Sequence, residues 1–118
     1  NILVVDDNML NLKVAERLLK AYKCNITLVS SGSECLDKVS NNKYDLILLD
    51  DMMPRMSGTE TLQKLKEIET FNTPVVALTA NAITGMKEEY INRGFNDYLS
   101  KPIIKEDLNR VMKKYLKK

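Results

Sequence analysis

Apolar residues along this chain switch between two spacings, and the switch repeats five times. Residues 2–5, ILVV, are a short β-branched run closed by Asp6-Asp7-Asn8. That pattern predicts a buried strand, with Asn8 as the N-cap of a helix after it. Leu12, Ala15, Leu18, Leu19 and Tyr22 recur at helical spacing, so an amphipathic helix is expected over residues 9–22. Residues 25–29, NITLV, read as a second strand. Ser31-Gly32-Ser33 punctuates, and residues 34–40 carry a second helix with Cys35, Leu36 and Val39 inward, ended by Asn41-Asn42.

The third strand organises the rest. Residues 44–58 read YDLILLDDMMPRMSG, with four apolar residues, Leu46 to Leu49, between acids. A run this short and this apolar fits a strand buried on both faces. It delivers Asp50 to its own C-terminal end, and Pro54 and Gly58 then stop it. Ser57 with Glu60 forms a capping box, and Leu62, Leu65 and Ile68 give that helix its inner face. VVAL at 75–78 is the fourth strand, followed by the polar loop Thr79-Ala80-Asn81-Ala82. A helix is expected from about residue 84 to 93, with Met86, Tyr90 and Ile91 apolar and Gly94 as its stop. FNDYL at 95–99 is the fifth strand, Ser100-Lys101-Pro102 a turn, and Leu108, Val111, Met112, Tyr115 and Leu116 mark the last helix.

Five strand–helix alternations predict an α/β fold: a doubly wound parallel sheet with right-handed crossovers and helices on both faces. The common order for five such strands is 2-1-3-4-5, with a crevice at the C-terminal rim between the first and third strands. Asp6 and Asp7 then lie beside Asp50, and Thr79 and Lys101 arrive from the ends of the fourth and fifth strands. Three clustered carboxylates stay ionised only with a cation nearby. An oxygen-only ligand set with room for water suits Mg²⁺, or Mn²⁺ in its place. A carboxylate nucleophile, a divalent metal, a lysine and a hydroxyl are the parts for phosphoryl transfer onto Asp50.

Composition narrows the classes. At 118 residues the chain is the length of one domain, 1–118, with one core. Eighteen basic against 16 acidic residues give a net charge of +2, too balanced to argue for nucleic acid or a membrane surface. The terminal lysines, Lys113-Lys114 and Lys117-Lys118, read as a solvated last turn. The absence of histidine removes His-based general base catalysis and any phosphohistidine on this chain. Cys24 and Cys35 follow no paired motif, and both are taken as inert thiols of a reducing compartment. With no spanning run and no signal peptide, a cytoplasmic location is expected, tethered where the parent is a membrane-bound sensor. The chain opens on Asn1 in strand pattern, as a piece of something longer would.

Taken together, these residues resemble the response-regulator receiver domain of two-component signalling, over the whole chain. The matching residues are Asp6-Asp7 after the first strand, Asp50 in DxxMPxMxG, Thr79-Ala80 after the fourth strand, Tyr98, and Lys101-Pro102. The family carries the 2-1-3-4-5 order too, so that expectation is not independent of it. DDNxxN (residues 6–11) and TANAxxGMKEEY (residues 79–90) look most like receivers of hybrid sensor histidine kinases; a free-standing regulator is the alternative. The resemblance implies that a phosphohistidine, on a histidine kinase or histidine phosphotransfer domain, donates to Asp50. It implies Mg²⁺ held by Asp7, Asp50 and the Met52 backbone carbonyl, with Asp6 acting mainly through water, and a cis Lys101–Pro102 bond. It makes Thr79 and Tyr98 the switch, and a downstream partner would read the face of the fourth helix, fifth strand and last helix. The domain would catalyse only its own phosphorylation and dephosphorylation. Met52 and Asn81, two positions beyond Asp50 and Thr79, are the expected tuners of dephosphorylation.

Asp51 is expected to be a solvated neighbour pointing away from the site, since adjacent strand residues alternate faces. Met52, Met53 and Met56 read as packing. Three rival classes fit less well. An Asp-nucleophile phosphatase of the haloacid dehalogenase type wants an acid two residues after the nucleophile, where this chain has Met52. A flavodoxin-type flavin carrier would not place Asp-Asp-Asn at a phosphate loop. A partner-binding module that is never phosphorylated would be expected to lose an acid, the Thr or the Lys, and none is lost.

Overall fold

The apolar runs become five parallel strands because each can bury side chains on both faces of one sheet. The structure, a computed structural model, describes residues 1–22, 24–51, 53, 55–68, 71–79, 86–101 and 103–116. In chain order the elements are β1 Ile2–Val5, α1 Met9–Leu19, β2 Ile26–Val29, α2 Gly32–Asn41, β3 Leu46–Asp50, α3 Gly58–Lys66, β4 Val75–Thr79, α4 Met86–Arg93, β5 Asp97–Ser100 and α5 Lys105–Leu116. The strands pair in the order β2-β1-β3-β4-β5, all parallel, which is the doubly wound, flavodoxin-like arrangement expected.

Strand alternation divides the core in two. Ile2, Val4, Leu46, Leu48, Val76, Leu78 and Leu99 pack under α1 and α5, through Leu12, Ala15, Leu19, Leu108 and Val111. Leu3, Val5, Ile47, Leu49, Val75 and Ala77 face the other way, against Cys35, Leu62, Leu65, Tyr90 and Phe95. Both faces of β3 are fully covered, as its unbroken apolar run requires.

Element ends depart from expectation where local hydrogen bonding competes. The first helix gives way at Lys20–Tyr22 to a 3-10 turn, and the Tyr22 hydroxyl there donates to Asn109 on α5. The second helix starts at Gly32, two residues early, because the Ser31 side chain accepts from the Glu34 amide as N-cap. The capping box at α3 is present in both halves. The fifth strand begins at Asp97, not 95. Phe95 instead turns into the core, edge-on to Tyr90 with ring centroids 5.8 Å apart. Gly94 ends α4 with φ of +109°, a conformation that favours glycine. The expected start of that helix near residue 84 lies outside the described residues, as do Met52, Asn81, Pro102, Lys117 and Lys118.

Candidate functional site

Strand register carries three sequence-distant groups to one rim. In β1, β3 and β5 the chain leaves the sheet at Asp6, Asp50 and Lys101, all at C-terminal strand ends. The Lys101 ammonium lies 2.8 Å from Asp50 Oδ1 and 3.4 Å from Asp6 Oδ2. Its backbone amide donates to the Thr79 carbonyl at 2.7 Å, which pins the lysine to the end of β4. Asp6 and Asp50 are each only 1% exposed, whereas Asp7 is solvent-facing. The Asp6 carboxylate also accepts from the Asn8 amide at 2.9 Å, the bond that turns the chain from β1 into α1.

Carboxylate oxygens of Asp6, Asp7 and Asp50 all lie within 4.8 Å of one another. Among the described residues, one lysine faces these three acids, so the cluster keeps net negative charge. Burial alone would lower the Lys101 pKa. The hydrogen bond and charge of Asp50, with the charge of Asp6, outweigh it and hold the ammonium above its ordinary range. Hard oxygen donors, two of them buried, with excess negative charge and one open side at Asp7, fit a divalent cation of the Mg²⁺ type.

Asp51 corrects one expectation. It does point to the face opposite Asp50, as alternation requires, but that face is not solvent. Its side chain is 13% exposed and lies under α4, because a doubly wound sheet is covered on both sides. Asp51 Oδ2 sits 2.9 Å from the Tyr90 hydroxyl and 3.5 Å from the Arg93 guanidinium, and Oδ1 accepts from Thr59 at 3.4 Å. The Tyr90 hydroxyl is also 2.9 Å from Thr79 Oγ1. Arg93 lies over the Tyr90 ring, 5.2 Å from its centroid, and pairs with Glu89 one turn back. Tyr98 stacks on Tyr90 at 6.1 Å and 20°. Burial first, and the Asp51 charge with it, raise the Tyr90 phenol above its ordinary range, so it keeps its proton at neutral pH.

The structure therefore brings Asp6, Asp7, Asp50 and Lys101 together, and places Thr79 at the same rim, in contact with Tyr90. Tyr98 lies behind Tyr90 as part of one aromatic stack. The expected roles of Met52, Asn81 and Pro102 fall outside the described residues. Sequence reasoning missed Tyr90, Asp51 and Arg93. The available signal was a tyrosine on a buried helix face, since a buried phenol needs a polar partner. Cys35 is fully buried with its thiol pushed up to about 12 by burial, consistent with an inert thiol.

The response regulator receiver domain family model matches residues 2–113. The signal transduction histidine-protein kinase BarA of Escherichia coli is 36% identical over 115 residues, which cover 97% of this chain and 12% of that kinase. The other curated relatives compared with the chain are likewise spanned for 21% of their length or less. Among solved structures, the receiver domain of the sensor histidine kinase PA1611 from Pseudomonas aeruginosa has a magnesium ion coordinated in its active-site cleft. It superposes with a TM-score of 0.88 at 33% identity, over 99% of this chain and 97% of that one. The receiver domain of the Saccharomyces cerevisiae regulator Ssk1, solved with the histidine phosphotransfer protein Ypd1, gives a TM-score of 0.87 at 27% identity, over 98% and 87%.

Proposed function

The chain belongs to the response-regulator receiver family of two-component signalling, and from that premise we propose that Asp50 is its phospho-acceptor. The observation that carries this reading is the Asp50 carboxylate itself. It is 1% exposed at a strand end, paired to Lys101 at 2.8 Å, with Asp6 and Asp7 oxygens within 4.8 Å. An Asp50 oxygen attacks the phosphorus of a phosphohistidine on a partner protein. The phosphorus–nitrogen bond breaks, the histidine nitrogen keeps the electron pair, and an acyl phosphate forms on Asp50.

Asp6, Asp7 and Asp50, with the Met52 carbonyl that the resemblance implies, would hold Mg²⁺. Bound there, the ion supplies positive charge against the phosphoryl oxygens. Lys101 neutralises charge on the acceptor and remains cationic through the transfer, which its raised pKa supports. The Thr79 hydroxyl, at the end of the neighbouring strand β4, would turn to a phosphoryl oxygen, and its departure from the Tyr90 side would register the event on α4 and β5.

The reading extends to context. Residues 1–118 are taken as one receiver domain, catalysing its own phosphorylation and dephosphorylation, with Met52 and Asn81 setting the lifetime of the acyl phosphate. Likeness to BarA and to the PA1611 receiver supports a hybrid sensor histidine kinase as the parent. Likeness to the Ssk1 receiver, solved with Ypd1, supports a histidine phosphotransfer partner. A cytoplasmic site of action is part of the same proposal. Among the described residues no helix is long and apolar enough to cross a membrane. Intact-mass measurement after acetyl phosphate treatment tests the core of the proposal. Wild type should gain one phosphoryl group only with a divalent metal present, and Asp50→Asn none. Equal phosphorylation of both would overturn the assignment.

A further inference from the structure

A phenol has one proton to give, and Tyr90 Oη has two neighbours at 2.9 Å, Asp51 Oδ2 and Thr79 Oγ1. The Asp51 carboxylate, with Arg93 beside the same oxygen at 3.5 Å, can only accept. A charge-assisted bond is the stronger of the two, so the phenol proton goes to Asp51. The Tyr90 oxygen is then an acceptor toward Thr79, and the Thr79 hydroxyl donates to it. A phosphoryl oxygen on Asp50 would need that same threonine proton.

We propose that Tyr90 is a positioning residue for Thr79: anchored on Asp51, it holds the Thr79 hydroxyl in the unphosphorylated protein and competes with the phosphoryl group for it. The inference rests on the receiver reading and deepens it. Its construction is specific. Tyr90 and Arg93 are one turn apart on α4, so both reach the end of β3. There Asp51 directly follows the acceptor. Tyr98 stacks on the same ring, so release of Thr79 by Tyr90 has a packed neighbour through which to spread. The latch joins the acceptor strand, the Thr79 strand end and α4 through three side chains.

Binding of beryllofluoride with Mg²⁺, a mimic of the aspartyl phosphate, tests it in the 118-residue chain. Tyr90→Phe keeps the ring and its packing and removes only the hydroxyl. It should tighten beryllofluoride binding by about two- to ten-fold, the range a single neutral hydrogen bond spans. The gain should persist in a Thr79→Ser background, which retains the hydroxyl, and vanish in Thr79→Ala. A merely structural tyrosine would give the same effect in all three backgrounds, which overturns the latch. Wild type that binds, with Tyr90→Phe unchanged or weaker, overturns the latch and leaves the receiver reading standing. No binding by wild type overturns the receiver reading, and the latch with it.

Discussion

At the scale of the residue, Lys101 decides whether the site is tolerable without a metal. It is the described cation in contact with two carboxylates that are nearly fully buried. Replacing it by Met keeps the stem and removes the charge, leaving Asp6 and Asp50 facing each other. The expected cost is roughly 1–3 kcal/mol, since a charged group loses its partner at a rim that water still reaches. Urea melts should show that loss, and saturating Mg²⁺ should narrow the gap to wild type. A Lys101→Met protein as stable as wild type without metal would mean that the lysine carries no such role. This lysine and the three acids were legible because strand ends project predictably once the order is known. Asp51 was legible only in its direction. That it faces away follows from the pleat, but what it meets depends on α4 docking over the end of β3, which no local pattern encodes. Tyr90 was read only as one of the apolar positions of its helix. It is buried while Ile91 beside it is exposed, and its hydrogen bonds to Asp51 and Thr79 come from residues 39 and 11 positions away.

At the scale of the element, interiors were readable, as were the ends set by Asn8, Ser57 and Gly94, while other ends moved. The apolar runs of β1, β3 and β4 are each buried at every position, so pattern alone placed them. The ends of α1, α2 and β5 moved because single side chains there found better partners, as Ser31 and Phe95 did. One element start is tied directly to the site. Gly58 opens α3, and a Cβ on it would stand 2.3 Å from the Asp50 carbonyl oxygen and 2.8 Å from Asp51 Cα. Backbone cannot yield as a side-chain tip can, so Gly58→Ala should destabilise by about 1–3 kcal/mol and slow phosphorylation of Asp50. A melt and a phosphorylation time course both matching wild type would contradict this. A second junction fixes β5 against α5. Asp97 has no exposed side-chain surface, and its carboxylate takes the Tyr98 amide, Arg110 at 3.0 Å and Lys114 at 3.6 Å. Burial alone would raise its pKa, but the Tyr98 amide and the Arg110 and Lys114 charges outweigh it, and the net shift is downward. A carboxyl held lower in the folded than in the unfolded state stabilises fully above its unfolded value, about 3.9, and loses that contribution as pH falls through the folded value. Asp97→Asn should therefore cost about 1–2 kcal/mol at pH 7, discounted because both cations are half-exposed, and the deficit should shrink below about pH 4. A deficit unchanged from pH 7 to pH 3 would show that charge at Asp97 is not the cause.

At the scale of the whole molecule, the acidic site exists only because the sheet exists. Residues 6, 50 and 101 lie at the C-terminal ends of three strands and meet through strand order, so the unfolded chain has no comparable cluster. A ligand that binds this cluster binds the folded state alone, and its binding free energy appears as folding stability. Mg²⁺ at a hundredfold excess over its dissociation constant should add about 2.7 kcal/mol. For a chain of this size that raises the melting temperature by on the order of 10 °C. The acids are not equivalent in this. Asp50 is paired to Lys101, so Asp50→Asn removes an attraction along with a repulsion and should gain little in the metal-free protein. Asp7 is solvent-facing and contributes charge to the cluster without an ion pair among the described residues. Asp7→Asn should therefore raise the metal-free melting temperature slightly, because only repulsion is lost. The same variant should give up most of the Mg²⁺ increment, because a ligand oxygen has gone with the charge. Thermal melts of wild type, Asp7→Asn and Asp50→Asn, each with EDTA and with Mg²⁺, separate the two effects. If Asp7→Asn melts lower than wild type in EDTA and keeps the full Mg²⁺ increment, the three carboxylates do not act as one cation site.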